Sequence, residues 1–187
     1  MWNIANFLNS PSTGNDPYGA LYSGIQRANI VLRYIDQIPA SGITEEDRSM
    51  IKGEALFLRG YQYFLLVNNY KEVPLRLIPS NEDETNKAAA TEAALWAQVE
   101  EDLDNAIKCN LPVERSTAKE RITKGAAIAM LGKVYATQHK YPEAKQLLGT
   151  LLKAPYSYEL MDNFEKNFTN EEEFNKESVF ELAYSPD

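Results

Sequence analysis

Residues 53–75, GEALFLRGYQYFLLVNNYKEVPL, constrain the fold more than any other stretch. Ile51, Ala55, Leu58, Tyr61 and Leu65 recur at helical intervals and define a helix with a buried face. Phe57 and Phe64 lie one heptad apart on its flank and widen the apolar surface. A helix this apolar needs cover on more than one side, so it is predicted to be central. Pro74 has no amide hydrogen and biases Val73 towards extended geometry, so the helix must end before Val73.

The flanking sequence supplies the cover. Asp16 followed by Pro17 predicts an N-cap and first helical residue, with Leu21, Ile25, Ala28, Leu32 and Ile35 as the buried stripe. Residues 38–42 break that helix, and Thr44 caps the next, with Asp47 in the place of a capping-box acid. Residues 76–90 show no sustained period and predict a long solvated loop. Thr91 caps a third helix with Leu95, Val99, Leu103, Ala106 and Ile107 inward, and Leu111 and Pro112 stop it. Thr123 caps a fourth helix, in which Ala127, Leu131, Val134 and Gln138 trace one line. Tyr141 and Pro142 open a fifth, with Ala144, Leu147, Leu148, Leu151 and Leu152 on its buried side.

This last pair, 123–154, has tetratricopeptide spacing in Leu131, Gly132, Tyr135, Tyr141 and Ala144. Gly132 and Ala144 are small where two helices cross closely. Leu148 and Ile128 depart from the usual Phe and Trp, and one unit needs neighbours to bury both faces. Residues 178–184 alternate apolar and polar and predict a strand. The expected fold is therefore all-α: tetratricopeptide-like antiparallel helix pairs in an α–α superhelix, with long loops and a short extended tail, in one domain spanning 1–187.

Composition narrows function. The net charge of −8, without a Lys/Arg cluster, argues against nucleic acid and against docking on anionic lipid. One cysteine, Cys109, permits no intrachain disulfide and reads as a small residue near a helix end. His139 reads as a solvated turn residue, and no Cys, Asp or Glu set around it has metal spacing. Glu171, Glu172 and Glu173 read as a solvated charge run rather than a calcium site. No convergent titratable set is found, so no catalytic residue, cofactor or metal is expected. Glu54 and Arg59 are expected to be a structural pair or network.

The run GEA-x-FLR-x-x-x-YF-x-L followed by Y-x-x-VPL resembles the SusD/RagB family. Further blocks keep the family's order: Tyr22, Ile25, Ala28 and Asn29; Trp96, Val99, Asp102 and Ala106; Arg121, Thr123, Lys124 and Ala126; and Asn175 with residues 177–181, ESVFE. The resemblance implies a non-catalytic, glycan-binding, outer-membrane lipoprotein of a nutrient-uptake system. It implies delivery of an oligosaccharide to a TonB-dependent, SusC-like transporter, with the helical repeats as the platform against the transporter. It also implies that this chain matches the amino-terminal part of longer members, without their carboxy-terminal half. Membrane association is then expected only through a lipid anchor that lies outside this sequence.

Eleven tyrosines are present. Tyr61, Tyr63, Tyr135 and Tyr141 occupy helix-packing positions, where core is expected. Trp2, Tyr18 and Tyr70 flank loops and can stack on sugar faces, with Asn15 and Asp16 as hydrogen-bond partners. These five form the predicted ligand edge. The alternative function is a generic tetratricopeptide-like scaffold for protein–protein interaction, which predicts a groove lined by inward side chains of the 123–154 pair.

Overall fold

A threonine that accepts a backbone N–H begins three of the helices. In the computed structural model, which describes residues 16–83 and 85–182, the Thr44 hydroxyl accepts from Asp47 N at 3.1 Å and donates to Asp47 Oδ2 at 2.8 Å. Thr91 accepts from Ala94 N at 3.3 Å and Thr123 from Ala126 N at 3.1 Å. Each bond satisfies an amide that the first helical turn leaves without a partner. Asp16 holds the N-cap position, but its side chain makes no capping bond; its backbone carbonyl accepts from Ala20 N at 2.9 Å.

The helices are α1 (Pro17–Tyr34), α2 (Glu45–Tyr70), α3 (Glu92–Lys108), α4 (Lys124–Thr137) and α5 (Tyr141–Leu148). A 3₁₀ turn at Ile35–Gln37 extends α1, and another at Gly149–Leu152 extends α5. Helix α2 packs against α1 on one side and α3 on the other, α3 continues onto α4, and α4 onto α5. The result is the expected all-α, tetratricopeptide-like stack of antiparallel pairs with α2 central.

The buried face of α2 differs from the predicted stripe. Of the five predicted positions only Ala55 is buried, and Leu58 is 41% exposed. The inward line is Gly53, Phe57, Gly60, Phe64 and Val67, backed by Leu56, Tyr63 and Leu66. Two neighbouring helices bury a wide sector, through which several helical stripes can be drawn. The glycines mark the side that α3 approaches: a Cβ at Gly53 would stand 2.7 Å from Cys109 Cβ, and one at Gly60 would stand 3.1 Å from Leu103 Cγ. Cys109 itself is half-buried just after α3, and that burial raises its thiol pKa.

The α4–α5 crossing is as close as the small residues imply. A Cβ at Gly132 would stand 2.5 Å from Leu148 Cγ, and Ala144 is buried. Two positions are corrected. Tyr141 is 60% exposed, and its hydroxyl lies 2.7 Å from His139 Nδ1 on a solvated turn. Leu152 is 81% exposed although Leu151 is buried. The helix tightens to 3₁₀ at Gly149, so each later side chain is rotated further about the axis and Leu152 leaves the inward face. Gln138 is half-buried and donates to Glu100 at 2.6 Å rather than continuing the apolar line. Gly132→Val is expected to cost about 1–3 kcal/mol through overpacking. Pairing it with Leu148→Ala should recover part of that loss, both read from urea midpoints.

The remaining connections are less free than expected. Residues 76–83 are not solvated throughout: Pro79 is fully buried, and side chains of α1 and α2 hold the segment. Residues 178–182 form no strand; residues 183 and 184 of that prediction lie outside the described residues. Side-chain bonds replace a ladder there, with Glu177 accepting from Met161 N at 2.8 Å and Asn167 Nδ2 at 3.0 Å. Phe180 packs edge-on against Phe57 at 5.4 Å, which ties this segment to α2.

Candidate functional site

Tyr18, Tyr22 and Gln26 stand four residues apart along α1, so they share one face of the helix. That face forms one wall of an open groove of about 410 Å³; Pro74, Arg76 and Ser80 form the other. The second wall is a strap of backbone with no regular structure, and its position rests on side chains from both neighbouring helices. The Tyr22 hydroxyl donates to Pro74 O at 2.6 Å, and Gln26 Oε1 accepts from Ser80 N at 2.8 Å. Asn29 Nδ2 donates to Arg76 O at 3.0 Å and to Ile78 O at 3.1 Å. From α2, the Tyr63 hydroxyl donates to Arg76 O at 2.9 Å and accepts from Arg76 N at 2.7 Å.

A buried polar network stands behind the strap. Arg59 Nε and Nη2 donate to the two carboxylate oxygens of Asp102 at 2.8 and 2.7 Å, which joins α2 to α3. Arg59 Nη1 donates to Asn29 Oδ1 at 2.9 Å and to Leu77 O at 3.4 Å. Gln98 Nε2 donates to Asp102 Oδ1 at 3.0 Å. One guanidinium thus links α1, α2, α3 and the strap with a planar, bidentate geometry that a lysine could not supply. Glu54 belongs elsewhere: it accepts from Arg115 at 2.5 Å and Arg121 at 2.7 Å. The predicted Glu54–Arg59 network is therefore two networks with separate structural roles.

At the open end of the groove, three tyrosine rings meet. Tyr18 lies 4.9 Å from Tyr22 and 5.1 Å, edge-on, from Tyr70 at the end of α2. Burial pushes the Tyr22 phenol far above its ordinary pKa, helped by a hydrogen bond with Tyr18. Burial also raises Tyr70, with the Asp16 carboxylate and Tyr18 adding to it. Both phenols stay neutral at physiological pH and present ring faces together with hydroxyl donors and acceptors. No nucleophile with an adjacent base lines the groove. Among the described residues, no group of three His, Cys, Asp or Glu side chains could hold a metal ion.

Of the predicted ligand edge, the structure brings Asp16, Tyr18 and Tyr70 together. Trp2 and Asn15 lie outside the described residues. Tyr22, Gln26, Arg76 and Ser80 are groove residues that the sequence reading does not include. Tyr22 and Gln26 carry a signal in their four-residue spacing from Tyr18; Arg76 and Ser80 carry none, because only tertiary hydrogen bonds place them. Beside the 123–154 pair, for which a generic scaffold predicts a groove lined by inward side chains, a hollow of about 900 Å³ lies along Pro142, Lys145, Gln146 and Leu152. The Glu171–Glu173 run is mostly solvated, with Glu172 paired to Lys166 at 2.9 Å. No helix among the described residues is long and apolar enough to cross a membrane.

Comparison with known proteins gives the groove a context. A family model described as SusD-like, starch-binding and associating with the outer membrane, matches residues 2–136. The solved structure of a SusD superfamily protein from Bacteroides vulgatus is 33% identical, with a TM-score of 0.82 over 96% of this chain and 39% of that one. A laminarin-binding SusD-like protein is also 33% identical, with a TM-score of 0.83 over 95% of this chain and 39% of that one. A surface glycan-binding protein A from Bacteroides uniformis, 24% identical, shares the fold with a TM-score of 0.81 over 92% of this chain and 38% of that one. This chain thus spans about two fifths of the length of these solved relatives. No curated protein matches it. With the family model matching well over half of its residues, the chain belongs to the SusD-like family.

Proposed function

We propose that this chain contributes to a glycan-binding protein of an outer-membrane uptake system, with the α1–strap groove as the place where a sugar chain rests. The carrying observation is the Tyr18–Tyr22–Tyr70 cluster at the mouth of a groove whose other wall is held by Asn29, Arg59 and Tyr63. Sugar rings present C–H bonds to the negative face of an aromatic ring, while their hydroxyls exchange hydrogen bonds with polar side chains. Asp16, Gln26 and Ser80 are placed to supply such bonds, and Trp2 and Asn15 extend the same edge in this reading. The family's description and the laminarin-binding relative support a carbohydrate ligand.

The wider reading follows from the family. The protein captures an oligosaccharide at the cell surface, where a lipid anchor on the full-length protein holds it, and hands the ligand to a TonB-dependent, SusC-like transporter. The chain corresponds to the amino-terminal helical part of such a protein, its 123–154 pair lying on the transporter side. Binding and release accomplish this without chemistry on the ligand. The test is affinity electrophoresis of the full-length protein through gels containing different glycans. Retardation by at least one glycan, reduced about tenfold in apparent affinity by Tyr18→Ala, is expected. Retardation by no glycan, or retardation indifferent to Tyr18, would count against the groove.

A further inference from the structure

We infer that the α1–strap groove takes neutral sugar chains and rejects those bearing uronate or sulfate groups; this rests on the glycan-binding reading above. The cations around the groove are engaged in other bonds or do not line it. Arg76 is the one Lys or Arg among the lining residues, and its guanidinium is turned to the strap itself: Nη1 donates to Asp83 Oδ2 at 3.2 Å and Nη2 to Thr85 O at 3.1 Å. The Asp83 side chain is buried and also accepts from Lys87 at 2.9 Å, so that lysine is held in the same cluster. Beside Tyr70, Lys71 is paired with Glu92 at 3.0 Å. Further along α1, Arg33 is paired with Glu82 at 2.9 Å. Arg27 is exposed but does not line the groove.

Residues 1–15 contain no charged side chain, and residue 84 is a glutamate, so wherever these lie they bring no side-chain cation to the site. Beside the Tyr18 end of the groove stand the Asp16 carboxylate and the clustered rings of Tyr18, Tyr22 and Tyr70. An anionic sugar would surrender hydration without gaining a cationic partner, and would meet repulsion from Asp16. A neutral sugar meets neither cost. It finds ring faces from Tyr18 and Tyr70 and polar groups from Gln26 and Ser80.

Isothermal titration calorimetry on the full-length protein tests this with oligosaccharides of matched length, at low and high salt. The neutral arm uses β-1,3-glucan, α-1,4-glucan and β-1,4-mannan fragments; the anionic arm uses oligogalacturonate and a sulfated glycan. Tyr18→Ala and Tyr70→Ala are measured beside the wild type, each checked for a native circular dichroism spectrum, so that misfolding of one leaves the other. The expected result is a neutral ligand bound at least about tenfold more tightly than any anionic one, insensitive to salt, and weakened about tenfold by either substitution. An anionic glycan bound as tightly, and weakened by either substitution, would overturn the inference while leaving the groove as a glycan site. Binding that neither substitution weakens, or no binding in either arm, would overturn both.

Discussion

Asp102→Ala is expected to destabilise the protein by about 3–5 kcal/mol, because it leaves the Arg59 guanidinium in the interior without its counter-charge. The Asp102 side chain is 1% exposed and that of Arg59 only 10%, so water cannot replace the lost carboxylate. Asn29 Oδ1 and Leu77 O would remain as acceptors, but neither carries a charge. Urea unfolding of the variant should show the shift as a lower midpoint, with a melting temperature lower by roughly 6–20 °C for a chain of this size. A charge-free double substitution, Arg59→Met with Asp102→Leu, should recover much of the stability, since a buried pair gains little over a well-packed apolar one. The double variant separates stability from position. Without the guanidinium, Asn29 Oδ1 loses its donor, although Asn29 Nδ2 keeps its bonds to Arg76 O and Ile78 O, and the strap loses the bond from Arg59 to Leu77 O. Faster amide exchange at residues 76–80 in a protein of near-normal stability is the expected signature. If the double variant were as unstable as the single one, uncompensated charge would not be the cause.

The parts of this fold that are legible in the sequence are those fixed by neighbours in the chain. Thr44, Thr91 and Thr123 cap helices through bonds to amides three residues on, so a local pattern is enough to place each start. Gly132 and Ala144 mark the α4–α5 crossing because closeness demands small residues whatever the partner. Other features depend on contacts that spacing does not encode. The strap reads as a solvated loop because its anchors, Asn29 and Tyr63, lie 47 and 13 residues away from Arg76 in sequence. Residues 178–182 alternate like a strand, yet Phe180 is held by Phe57 and Phe174 N by the Glu181 carboxylate. Tyr18 and Tyr70 are legible as loop-flanking aromatics; that they meet edge-on follows only from the packing of α1 on α2. A tyrosine at a repeat position, such as Tyr141, faces inward only if another helix covers it, and here none among the described residues does.

The same limit gives the sharpest test of the helix at the centre. Phe57 and Leu58 are adjacent, both large and apolar, and helical spacing favours Leu58 as the inward residue. The structure places Phe57 inside at 1% exposure, between Tyr61 and Phe180, and leaves Leu58 41% exposed. Phe57→Ala should therefore cost about 3–5 kcal/mol, the lost transfer of the ring together with the cavity it leaves. Leu58→Ala should stay within about 0.5 kcal/mol, since a half-exposed side chain leaves no cavity and alanine favours the helix. Urea unfolding of both variants under one set of conditions decides between the two stripes, because the ranking reverses if Leu58 faces the core. The Phe57 variant should also free Phe180, so residues 174–182 should become more accessible to protease while α4 and α5 remain protected. Such a local response would show that residues 174–182 are held to the helical stack by the Phe180 contact with its central member, not through a sheet of their own.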